Sequence, residues 1–201
     1  MFRKIIFISL LMLVMLSACA GSVPTPVIVS PSVTIVPAPN GLQDQPALSN
    51  DSGIAGVQTQ PDRAAYHRHV HVVQTPVGDL PPMFGEHYPA WQNCGIYDQP
   101  VELGSALHSM EHGAVWLTYV PNLDPSQVTD LQKLVHGHGY VLMSPYPPQA
   151  KPVVLTAWGT QLVIDSLPDD RIAKFIAYYE QGPQDPERGA PCSGAIGNPL
   201  P

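Results

Sequence analysis

"ALHSMEHGAVW", Ala106 to Trp116, is the stretch on which the fold turns. Its first half packs two histidines, a methionine and a glutamate into His108-Ser109-Met110-Glu111-His112. Gly113 follows, and then the apolar run Ala114 to Val120. That run is β-branched and aromatic, which reads as a strand. Two geometries are open for the polar half. A helical turn sets His108 and His112 four apart on one face with Glu111 beside them, a spacing used by zinc sites. An extended segment puts His108, Met110 and His112 on one face, a softer set suited to copper. Gly113 and the strand behind it favour a short helical turn that ends there.

Downstream, Asp124-Pro125 looks like an N-cap followed by proline at the first helical position, with Val128, Leu131, Leu134 and Val135 on one face and Gly137 or Gly139 as the stop. "YVLMS", "PVVLTAW" and "TQLVIDS" follow as three strands. A second helix opens over Ser166 to Asp169, buries Ile172, Phe175, Ile176 and Tyr179, and stops at Gly182-Pro183. Upstream, "HRHVHVV" (His67 to Val73) alternates like a strand, and "VGDLPPMFGEHYPAWQNCG" is a loop rich in Pro and Gly. Strands with two helices and no Gly-rich βα turn predict an α+β fold, one compact domain with a mostly antiparallel sheet.

At the N-terminus Arg3 and Lys4 precede an apolar run, Ile5 to Met15, and then Leu16-Ser17-Ala18-Cys19. This is the order of a secretory signal. The tetrapeptide resembles a bacterial lipobox, which implies cleavage before Cys19, lipid on its sulfur and attachment to the cell membrane from outside the cytoplasm. The alternative, an uncleaved anchor, has a run short of the ~20 residues that span a bilayer. Residues 1–18 are thus a signal peptide, and 19–62 a Pro-, Ser- and Thr-rich extended tether. The α+β domain then occupies 63–201. The formal charge of −7 becomes more negative once Arg3 and Lys4 leave, and an acidic protein repels phosphate backbones. Nucleic acid is excluded as a partner; a protein partner is not identified. Cys94 and Cys192 remain, and outside the cytoplasm they read as a disulfide. Cys94 as a metal-bound thiolate is the alternative.

Six histidine positions compete for a metal. On a strand His67, His69 and His71 share a face, which suits a metal row or a solvated edge. His87 sits in a rigid Pro/Gly loop that is able to aim an imidazole at another element, or to bond it to main chain. His136 and His138 fall at a helix end, where they cap carbonyls. Trp91, Trp116 and Trp158 read as packing, Met83 and Met143 as filler. His108 to His112 also matches H-x-x-E-H, in which two histidines bind zinc and the glutamate activates water. Gly113 cuts that helix short of what a protease needs.

The order of motifs resembles exported bacterial proteins carrying the domain of unknown function 3105. The resemblance rests on Pro81-Pro82, Gly85 and His87; Gly95-Ile96-Tyr97; His108-Ser109-Met110-Glu111-His112-Gly113; Thr156-Ala157-Trp158-Gly159; and Gly182-Pro183 ahead of a late cysteine. It spans about residues 69–192. Phe84-Gly85 stands where Ser-Gly is expected, and His69 falls near the histidine that opens the family pattern. The resemblance implies a domain and a compartment, not an activity.

The sequence therefore predicts a lipid-anchored extracytoplasmic domain that binds copper or zinc through His69, His87, His108 and His112 without catalysis. Glu111 then orients a ligating imidazole. Two other readings stay open: a surface interaction or structural module with no metal, and a zinc-dependent hydrolase with Glu111 as general base.

Overall fold

A computed structural model describes residues 52–60, 68–71, 73 and 77–201. The signal peptide, Cys19, most of the tether and His67 lie outside the described residues. The elements are β1 (Gln58–Thr59), β2 (Gly95–Ile96), α1 (Leu103–Glu111), β3 (Val115–Tyr119), α2 (Pro125–Val135), β4 (Val141–Pro145), β5 (Val153–Ala157), β6 (Thr160–Ile164) and α3 (Arg171–Tyr179). They build a six-stranded sheet in the order β1-β6-β5-β3-β4-β2.

The α+β class holds, with two corrections. The sheet is mixed: β3 and β4 run parallel, as do β2 and β4, while β3–β5, β5–β6 and β1–β6 are antiparallel. Parallel neighbours need a crossover, and α2 supplies it between β3 and β4. That role is invisible to a search for glycine-rich phosphate turns, because α2 is instead opened by Asp124, whose side chain accepts from the Ser126 N–H at 2.8 Å. The second correction is a third helix. The short turn expected over 108–112 is the end of α1, whose first half, "LGSAL", carries no strong helical signature. Glu102 caps it, its carboxylate accepting from the Ser105 N–H at 3.0 Å.

The central strands are buried on both faces, which is why they read as continuous apolar runs. Alternation divides their side chains between two cores. Val115, Leu117, Val141, Met143 and Leu155 pack with Leu131, Val135, Ile172, Phe175 and Ile176 of α2 and α3. Trp116 and Leu142 face the other way, onto Ala106, Leu107 and Met110 of α1 and onto Trp158. Trp158 and Gly159 form the two-residue turn between β5 and β6, with Gly159 at φ +72°. Ile54 joins the core and β1 pairs with the β6 edge, so the last part of the 19–62 stretch packs on the sheet. Of the strand expected over 67–73, the described residues show one isolated bridge, His69 to His87.

Candidate metal centre

All of α1 from Gly104 to Glu111 is buried, and its C-terminal end carries the histidine motif into the interior. Ser109 anchors the helix: its hydroxyl donates to the Gln92 carbonyl at 2.6 Å, so it is structural rather than a nucleophile. His108 and His112, one turn apart, stand with ring centroids 4.4 Å apart. The bridge between His69 and His87 delivers two more imidazoles: His69 lies 4.6 Å and His87 5.1 Å from His108, centroid to centroid. Three segments distant in sequence thus bring His69, His87, His108 and His112 into one cluster. His71 is exposed and outside it, and His138 pairs with Glu180, Nδ1 to Oε2 at 2.5 Å, instead of capping carbonyls.

Each buried ring is held from behind. Nδ1–H of His87 donates to the Gly85 carbonyl at 2.8 Å, that of His108 to Tyr88 at 2.6 Å, and that of His112 to Pro191 at 2.7 Å. A carbonyl only accepts, so Nδ1 carries the proton and Nε2 is the nitrogen left to face the cluster. This is how metal-ligating imidazoles are oriented. Burial is the main reason that His108 is pushed down to about 3; positive charge on His112, His87 and His69 acts in the same direction, against the Tyr88 hydrogen bond. His108 is therefore a neutral imidazole at ordinary pH, as a ligand must be.

Two carboxylates join the rings. Glu111 is fully buried with Oε2 2.9 Å from His87 Nε2 and 3.7 Å from His69 Nε2. Glu187 lies with Oε2 3.4 Å from His112 Nε2. Two groups of donors come within 4.8 Å of one another, His69–His87–His108 and His108–His112–Glu187. Nitrogen and carboxylate oxygen are the donors that zinc and copper(II) accept, so the residues fit such an ion.

The C-terminal segment completes the site. Gly113, at φ +105°, turns the chain out of α1. The freed carbonyls of Glu111, His112 and Gly113 accept from the Glu187 N–H (3.1 Å), Gln181 Nε2 (2.5 Å) and the Gln181 N–H (2.9 Å). Cys94 and Cys192 form a disulfide, which removes the thiolate alternative for Cys94. Trp91 covers His108 and His112 at centroid distances of 5.7 and 5.0 Å, and Trp158 packs edge-on to His87 at 5.8 Å.

Residues 71–194 match the sequence profile of a family described as protein of unknown function, DUF3105. The chain belongs to the DUF3105 family. The matched region holds His87, His108, Glu111, His112, Glu187 and both bonded cysteines, while His69 lies two residues before it. No functionally curated protein and no solved structure matches this DUF3105 chain.

Sequence reasoning missed Glu187 and the contact of Trp91 with the rings. Glu187 sits among prolines in "GPQDPERGAPC", with no period to mark it. The available signal was the cysteine pair: a bond to Cys94 brings a residue five positions before Cys192 to the loop that follows His87.

Proposed function

We propose that this DUF3105 protein is a lipid-anchored extracytoplasmic domain that binds one transition-metal ion, copper or zinc, without catalysing a reaction. The observation that carries the reading is the convergence of His69, His87, His108 and His112 from three segments, with the Nδ1 atoms of His87, His108 and His112 held by carbonyls. Imidazole nitrogens gathered with carboxylates at these distances call for a positive centre between them, which a bound divalent ion supplies. The ligands come from His69, His87, His108 and His112, with Glu187 joining His108 and His112 and with Glu111 setting the charge and orientation of His87 and His69. The anchor is lipid on Cys19, supported by the Leu16-Ser17-Ala18-Cys19 tetrapeptide behind a charged and apolar start.

Glu111 as the general base of a hydrolase is disfavoured by its burial: its carboxylate is 0% exposed and lies against His87. The test is elemental analysis of the purified full chain, with thermal melts. One copper or zinc per chain, a rise in Tm on adding the ion, and loss of both in the His108→Ala, His112→Ala double variant are expected. A metal-free chain whose Tm ignores copper and zinc overturns the reading.

A further inference from the structure

The two donor groups share His108, and His108 has one nitrogen to give. Its Nδ1–H is taken by the Tyr88 carbonyl at 2.6 Å, so both His69–His87–His108 and His108–His112–Glu187 draw on the same Nε2. One neutral imidazole nitrogen has one lone pair and binds one ion. The two triads are therefore alternatives.

Their chemistry is nearly balanced. The first has three imidazoles with the Glu111 carboxylate 2.9 Å from one of them; the second has two imidazoles and the Glu187 carboxylate. Each thus offers one acidic group to a divalent ion. Each also has a single solvent-facing member, His69 with a side chain 45% exposed and Glu187 at 39%.

We propose that one divalent ion occupies two overlapping positions in turn, His108 staying bound while His69 and His87 are exchanged for His112 and Glu187, so that the domain passes an ion between its two exposed donors, His69 and Glu187. The step swaps ligands with no change in oxidation state. This rests on the metal-binding reading above, and it adds a transfer role to it.

Cobalt(II) titrated into the full chain, His69→Ala and Glu187→Gln tests it by visible absorption, which reports the ligand set. Expected is one cobalt per chain in all three, with different spectra in the two variants and a wild-type spectrum that is a sum of them. Each variant should bind several-fold more weakly than wild type. Two cobalt ions per wild-type chain, loss of the ion from either variant, or a spectrum in either variant identical to wild type overturns the proposal while leaving metal binding intact. A wild-type chain that takes up no cobalt, copper or zinc instead removes the metal reading beneath it.

Discussion

Oε2 of Glu111 lies 2.9 Å from Nε2 of His87, on the side of the ring opposite the Gly85 carbonyl that holds Nδ1. A carboxylate and an imidazole lone pair repel at that distance, so a positive centre, a proton or a metal ion, belongs at their contact. The Glu111→Gln variant removes that requirement, because the amide donates to Nε2 directly. The amide then competes with the ion, and zinc affinity is expected to fall about 10–100-fold while the metal-free protein keeps its Tm. A zinc competition titration beside thermal melts checks both.

The metal-stripped protein should lose stability as the pH falls. His108 is held at about 3 in the fold against 6.5 when free, chiefly by burial and then by His112, His87 and His69. Between those values the unfolded chain binds the extra proton, so His108's contribution is fully present above about pH 6.5 and declines toward pH 3. Tm measured across this range in wild type and in His108→Asn should show the flatter acid limb in the variant.

Replacing Cys94 and Cys192 by serine opens a crosslink between residues 98 apart in sequence. The expected cost is about 2–4 kcal/mol by chemical denaturation. A second effect should accompany it. The neighbouring Pro191 carbonyl orients His112, so zinc binding should weaken as well, by about 10-fold or more.

Gly113→Ala should be damaging beyond its size. A Cβ there meets the side chains of Gln181 and Asp185, and φ +105° is a conformation that alanine avoids. A loss of about 1–3 kcal/mol is expected, read from urea unfolding, with metal affinity reduced because His112 adjoins the displaced turn.

Strands β3 to β6 and the two sheet-flanking helices were legible because periodicity and caps are local: Asp124-Pro125 opens α2, and Ile172, Phe175, Ile176 and Tyr179 are the buried face of α3. The start of α1 was not, since Gly104 and Ser105 are poor helix formers, and the helix is held by the packing of Ala106, Leu107 and Met110 with Trp116 and Trp158. Parallel pairing was missed for a related reason: strand direction depends on whether the connection carries the chain back to the same end of the sheet, and α2 gives no sign of that in its own sequence. Among the site residues, spacing alone paired His108 with His112. It could not reveal that His69 meets His87 through a β-bridge, or that Glu187 returns to the cluster through a crosslink.

Every strand of the sheet is laid down by Ile164, yet Glu187, the Pro191 carbonyl and Cys192 come afterwards. A polypeptide cut short between these points carries every strand and four of the five donors, but lacks Glu187, the carbonyl that steadies His112 and the crosslink. An ion seated on His112 and Glu187 would then mark a chain whose synthesis and oxidation have both passed Cys192, making that seat a checkpoint on maturation.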